Sequence, residues 1–279
     1  MGDGAISQLW HHVQELVHPA RSFPFRGFPV NGRLAERTGA PEAHYAQFAA
    51  LHERLLATLT PVEPHHVVLE AGCGTGMDAM LLSTRLSPAG RYTGFDISPD
   101  TVAWCNAHIA PRLPNFRFRH FDVRNETYNP SGTLAATDVR FPEADAGVDR
   151  VIAQSVFTHL LPDVAAHYLR EIRRVLRPDG LALVTVFLAT AGEIAASSAS
   201  PVAAFRFPHA HAPGVFVSDA RRPSRSVAYE QEVFAQLLSD AGLAARSIVP
   251  GYWAVGRAPG DIGQDIVVLA RRRSRGDAR

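Results

Sequence analysis

The chain has 279 residues, 46% hydrophobic and 20% charged, with a formal net charge of +1. This fits one large globular domain, or one domain with a small cap, and gives no reason to expect a nucleic-acid or membrane partner; no apolar run approaches the ~20 residues needed to span a bilayer. All 28 basic residues are arginine, which excludes a lysine Schiff base, and two cysteines, Cys73 and Cys105, supply neither a disulfide framework nor a zinc pattern.

Residues 5–17 carry Ile6, Leu9, Trp10, Val13, Leu16 and Val17 at helical spacing. Pro19, Pro24, Gly27 and Pro29 then break the pattern. A second helix is predicted from Pro41 to Leu59, with Tyr45, Phe48, Leu51 and Leu55 on one side. Residues 1–60 thus read as an N-terminal helical lid before a domain at 61–273. From His66 strands and helices alternate. Strands are predicted at 66–70, 91–96, 116–121, 148–154 and 181–187. Helices are predicted at 76–86, after Ser98-Pro99-Asp100 (a cap residue followed by proline), and at 163–176. Residues 188–226, rich in Ala, Ser and Pro, break the rhythm and read as a substrate-cap insertion. A helix returns at 229–241 and strand-like runs follow at 245–249 and 265–270. Residues 274–279 read as a flexible tail. The alternation implies an α/β fold with a doubly wound parallel sheet, whose ligands bind at the C-terminal ends of the strands.

The sharpest motif is Glu70-Ala71-Gly72-Cys73-Gly74-Thr75-Gly76, an apolar strand ending in an acid and turning through alternate glycines. Met77 stands where a dinucleotide fingerprint needs glycine, and a phosphate loop needs a lysine that the chain lacks. Glycines let the backbone approach a ligand, and the following helix offers N–H groups to an anion. Asp96 closes the second strand, where a carboxylate accepts from ribose hydroxyls. Asp122 closes the third, beside Val123. Three acids at neighbouring strand ends suit a cationic, hydroxyl-rich ligand.

The glycine motif resembles the first motif of class I S-adenosylmethionine methyltransferases. Gly94-Phe95-Asp96-Ile97-Ser98, Tyr128-Asn129-Pro130-x-Gly132, Ser155-Val156-Phe157-Thr158-His159-Leu160 and Gln264-Asp265-Ile266-Val267-Val268 look like one bacterial small-molecule subgroup of it. The resemblance implies a Rossmann-like seven-stranded sheet with an antiparallel last strand and S-adenosylmethionine as cofactor. It implies a cofactor site of Glu70, Gly72, Gly74, Gly76, Asp96, Ile97, Asp122, Val123 and Gln154, with Asp122 meeting the adenine amine and Ile97 or Trp104 the adenine face.

His159 is the candidate base, since imidazole titrates near neutrality; the other reading is support of the cofactor. Tyr45, Phe157, Phe207, His209 and Tyr252 are candidate substrate contacts, and Arg26 and Arg206 could hold an acceptor carboxylate. No metal site is expected. The expected reaction is in-line methyl transfer to a small-molecule acceptor, an oxygen of a natural product or sugar. The alternatives are N-methylation, a fold relative that does not transfer methyl, or an NAD-dependent oxidoreductase. A cytoplasmic protein is expected, with a homodimer as one arrangement.

Overall fold

The computed structural model describes residues 22–260 and 262–272. The helix expected over 5–17 and the tail at 274–279 lie outside them. The described chain opens with a hairpin, β1 (Ser22–Phe25) and β2 (Phe28–Asn31). Arg26 and Gly27 both take positive φ, as a two-residue hairpin turn requires. Pro24 and Pro29 face each other in this two-stranded ladder, where neither strand has a second neighbour needing its N–H. The lid is therefore not wholly helical: the prolines shape a hairpin instead of only breaking a helix.

Two helices follow, α1 (Gly32–Arg37), capped by the Asn31 side chain, and α2 (Glu42–Thr58). Tyr45, Ala49, Leu55 and Leu56 are the buried positions of α2, while Phe48, read on the same side as Tyr45, is 38% exposed.

The α/β unit comprises β3 (Val67–Ala71), α3 (Met77–Leu82), β4 (Arg91–Asp96), α4 (Pro99–His108), β5 (Phe116–His120), β6 (Val148–Ala153), α5 (Pro162–Val175) and β7 (Leu176–Ala189). Beyond it come α6 (Ala191–Ala199), β8 (His209–Ala212), β9 (Val215–Val217), β10 (Val227–Glu230), α7 (Gln231–Asp240), β11 (Leu243–Val249) and β12 (Asp265–Arg271). The sheet branches at β7, and one of its two paths runs β5-β4-β3-β6-β7-β12-β11. β12 pairs antiparallel with both neighbours, and the other neighbouring pairs are parallel. That is the expected seven-strand pattern.

The strand count nevertheless exceeds seven. β7 outruns its partners, and its last residues, Phe187–Ala189, pair with β10, which carries β9 and β8. The insertion is thus ordered structure hung on the tip of a long strand. Its helix α6 starts with a capping box, the Thr190 side chain accepting from Glu193 N–H while the Glu193 carboxylate accepts from Thr190 N–H.

Alternate strand residues feed opposite faces. Leu69, Phe95, Val151 and Ala153 join α5 and α7 in one core. Val68, Tyr92, Phe116 and Ile152 join α2, α3 and α4 in the other, to which the hairpin adds Phe28 and Val30. Phe23 and Phe25 set their rings edge-on to Tyr45 at 5.1 and 5.2 Å. The N-terminal unit therefore lies over the glycine-loop side of the sheet. No described helix is long and apolar enough to cross a membrane.

Candidate active site

The turn from β3 into α3 is built on Gly72, Gly74 and Gly76, all at positive φ. A Cβ at Gly72 would lie 2.6 Å from a Val156 methyl, and one at Gly76 2.5 Å from Ile109, so side chains are refused on both flanks. Asp96 locks the loop from the end of β4. Its Oδ2 accepts from Gly74 N–H at 2.8 Å and its Oδ1 from Ser98 N–H at 2.8 Å. Each oxygen keeps lone-pair capacity for a further donor. Burial raises the Asp96 carboxyl, and the N–H bonds oppose that shift.

Together these elements enclose a cleft of about 180 Å³ at the C-terminal ends of β3, β4 and β6. Gly72, Gly74, Asp96, Ile97, Gln154 and His159 line it, so six of the expected site residues come together. Phe95, Val156 and Leu160 give it apolar walls, and Thr38, from the end of α1, reaches over Gly74. The other expected residues stand elsewhere, each for a physical reason. Gly76 is packed beneath the loop against Ile109 and Cys105. Glu70 is buried and accepts from the Tyr92 hydroxyl of the neighbouring strand. Burial and the adjacent Asp78 charge push its carboxyl well above the usual range, so it favours its neutral form. It does not line the cleft as a counter-charge.

Asp122 is exposed and closes its own turn, accepting from Asn129 Nδ2 at 3.0 Å and Thr133 Oγ1 at 2.8 Å; these bonds hold its carboxyl below the usual range. Val123 is buried in the core. Trp104 donates to the Pro29 carbonyl at 3.3 Å, bracing the hairpin and not the cleft.

The substrate candidates do not converge either. Tyr45 is buried under the loop, its hydroxyl 3.2 Å from Thr75 Oγ1. Phe157 packs on Phe234, and Phe207 sits in a cluster with Phe187 and Trp253. His209 and Tyr252 are exposed away from the cleft lining. Arg26 is paired with Glu53 at 2.6 Å, and Arg206 is exposed.

His159 lies in a short turn after β6. Its Nδ1 is 3.2 Å from the Ser224 carbonyl. A carbonyl only accepts, so Nδ1 carries the proton and Nε2 is the basic atom of the neutral ring. Burial lowers the imidazole below its ordinary value, against the opposing pull of the Ser224 and Arg225 carbonyls. Ser224 belongs to the insertion, and Tyr229 of β10 donates to the Leu160 carbonyl at 2.6 Å, so the cap fixes this turn.

Several lining residues went unread as site residues. Tyr128 and Asn125 arrive on the loop after β5, and Tyr168 projects from α5. Burial, then the Asp96 charge, raises the Tyr128 phenol and keeps it protonated. Ser155 takes φ 54 at the exit of β6, its N–H given to Thr185 Oγ1 at 2.7 Å. A non-glycine residue held in the left-handed region marks a strained point, here at the cleft. Only the Tyr128-Asn129-Pro130-x-Gly132 run and the Ser155–His159 run signalled any of these in sequence.

The lining fits an adenosine donor: side-chain-free backbone at Gly72 and Gly74, a carboxylate with spare acceptor capacity for a diol, and apolar Ile97 and Phe95 for a base. The comparisons agree. Residues 68–180 match the family described as a methyltransferase domain. An arsenite methyltransferase of Aquipseudomonas alcaligenes is 28% identical over 113 residues, 40% of this chain and 30% of that protein. The biotin biosynthesis bifunctional protein BioCD of Bordetella avium is 31% identical over 169 residues, 60% of this chain and 31% of that protein. The chain thus spans less than a third of the length of these curated relatives. Among solved structures, a chain of the complex between the Haloferax volcanii Trm112 methyltransferase activator and a methyltransferase superposes with TM-score 0.55 at 19% identity, covering 86% of this chain and 95% of that one. The [4+2]-cyclase SpnF superposes with TM-score 0.53 at 17% identity, covering 82% of each chain. At such identities the superpositions speak for the fold alone. Residues 68–180 thus match a methyltransferase domain, and the fold is that of the class I S-adenosylmethionine-dependent enzymes, whose cofactor is S-adenosylmethionine.

Proposed function

We propose that the protein transfers the methyl group of S-adenosylmethionine to an oxygen of a small-molecule acceptor, a natural product or sugar, by in-line displacement. The observation that carries this reading is the placing of Asp96 and His159 in one cleft, across the glycine loop. The cofactor, when bound, supplies an activated methyl on a sulfonium. Asp96 and the loop would hold the adenosine end, with Ile97 and Phe95 as the apolar surface for the base. His159, neutral and with its Nδ1–H committed to Ser224, offers Nε2 for the acceptor's hydroxyl proton. Tyr128, Leu160 and the turn after β6 narrow the cleft and exclude water, which favours dispersal of charge in the transition state. Most of the rate gain then comes from alignment, worth roughly 7–11 kcal/mol in favourable cases.

Fold alone does not dictate chemistry: a [4+2]-cyclase shares this one. The test is therefore product analysis. The purified protein is incubated with S-adenosylmethionine and panels of phenols, sugars, carboxylic acids and amines, and S-adenosylhomocysteine and methylated product are followed by mass spectrometry. An oxygen-methylated product is expected. His159→Ala should lower turnover roughly 10²–10⁴-fold if proton removal limits the rate; an unchanged rate across pH would make His159 a support residue. We place the protein in the cytoplasm, and sizing in solution decides whether it works as a homodimer.

A further inference from the structure

Three polar residues from different strands close a ring at the exit of β6. Ser155, which lines the cleft, gives its N–H to Thr185 Oγ1 of β7 at 2.7 Å. Thr185 Oγ1 in turn lies 2.5 Å from Oε1 of Gln264, the residue before β12. That spacing belongs to an O–H donor and is too short for an amide N–H, so it fixes which way the Gln264 amide faces. Gln264 Nε2 then donates to Ser155 Oγ at 3.1 Å and closes the ring. The Ser155 hydroxyl proton is left over. Its nearest acceptor in the ring, Gln264 Oε1, is 3.2 Å away, long for an O–H bond, and already takes the Thr185 proton. The serine proton is therefore free for an oxygen inside the cleft.

The backbone at this point does not call for a serine. Ser155 is exposed and holds φ 54, a value that glycine adopts without strain, and glycine would give Thr185 the same N–H. What serine adds is the hydroxyl. His159 lines the same cleft of about 180 Å³, with Nε2 as its basic atom. The two groups are complementary, one taking a proton and the other giving a hydrogen bond. On a single oxygen they would oppose each other, because a donor on the oxygen being deprotonated ties up the lone pair that attacks the methyl group. The serine proton therefore suits a second oxygen of the acceptor.

We propose that Ser155 donates to an oxygen adjoining the one that is methylated, so that the acceptor carries oxygens on two neighbouring carbons, as a catechol or a vicinal diol does. Gln264 is the positioning residue: its Nε2–H occupies the serine oxygen and leaves the serine proton to the ligand. The inference rests on the oxygen-acceptor reading above and narrows it. It also makes acceptor choice depend on the connection between β11 and β12, from which Gln264 comes.

Calorimetry on the protein loaded with S-adenosylhomocysteine tests it, with two matched pairs of probes: catechol against phenol, and trans-1,2-cyclohexanediol against cyclohexanol. In at least one pair the two-oxygen probe should bind about tenfold tighter, the scale of one hydrogen bond. Ser155→Gly, which suits φ 54 and should fold at least as well as wild type, should erase that preference while S-adenosylhomocysteine itself binds as before. Gln264→Glu keeps the shape of the ring, but its carboxylate accepts from Thr185 and from Ser155 alike and draws the serine proton out of the cleft. It should erase the same preference, which a merely structural role for Gln264 would leave in place. No two-oxygen preference in wild type, or a preference that survives Ser155→Gly, would overturn the assignment. So would an equal loss on both members of a pair, or a weakened S-adenosylhomocysteine, since the hydroxyl would then serve the reacting oxygen or the cofactor. If instead the acceptor panel described above yields no oxygen-methylated product, the oxygen-acceptor reading fails, and this inference with it.

Discussion

Asp96 has two tasks in one carboxylate. It holds the glycine loop through Gly74 N–H and the start of α4 through Ser98 N–H, and it keeps lone pairs for a ligand. Asp96→Ala should therefore do more than abolish binding of S-adenosylhomocysteine in calorimetry. Two N–H groups lose their acceptor, and leaving such buried donors unpaired costs roughly 1–3 kcal/mol each, readable as a lower midpoint in urea. An unchanged midpoint would mean that water replaces the carboxylate at both. Burial holds the His159 imidazole below its usual value. As pH falls, the unfolded chain takes up this proton first, so the stabilisation is complete above about pH 6.5 and is lost as pH drops through the folded value. His159→Gln should accordingly show a smaller fall in melting temperature between pH 7.5 and pH 5.5 than wild type. Asp96 was legible in the sequence because an acid closing a strand before Ser-Pro-Asp has few other uses. Glu70 and Asp122 were legible as strand-end acids but not by partner. Tyr92 reaches Glu70 from across the sheet, and Asn129 and Thr133 reach Asp122 from across a turn, and neither reach has a local signature.

At the level of elements, local chemistry marked the long periodic pieces and failed where strands borrow their stability from neighbours. The helix at 162–175 shows its stripe in the sequence because Tyr168, Leu169, Ile172 and Val175 must all face one core. The strands of the insertion are three or four residues long, and β8 exposes most of its surface, so no alternation could announce them. They exist because the tip of β7 offers an edge. The hairpin at 22–31 was hidden by its prolines, which a two-stranded ladder tolerates and a central strand does not. The capping box of α6 was present in the sequence as Thr-x-x-Glu and signals a helix start inside the insertion. Thr190→Ala removes an N-cap acceptor and should cost about 1 kcal/mol. Because α6 sits outside the cleft, S-adenosylhomocysteine affinity should stay as in wild type while the melting temperature falls. A parallel loss of affinity would show that the cap and the cleft move together.

Across the whole molecule, one buried ion pair joins parts that are distant in the chain. Asp265, 2% exposed at the start of β12, accepts from Leu188 N–H at the tip of β7, from Gly251 N–H, from Trp253 Nε1 and from Arg257 Nη1 at 2.6 Å. Arg257 in turn donates to Glu193 of α6 at 3.1 Å and to the Leu188 carbonyl at 2.6 Å. The closing strand, the long strand, the 250–264 connection and the cap helix thus meet at a single guanidinium. The neighbouring Gln264 contacts Ser155 and Thr185, so this seam also borders the strained exit of β6. Asp265→Asn keeps the shape and removes the charge, leaving Arg257 without its buried partner, a change that typically costs 3–5 kcal/mol, or about that much here. Replacing Arg257 by methionine in the same chain removes the orphaned charge as well. The double variant should then unfold at higher urea than the sum of the two single losses predicts, as coupled neighbours do. Strict additivity would mean that the two residues act separately, and that the cap is held by its aromatic cluster of Phe187, Phe207 and Trp253 instead of by the ion pair.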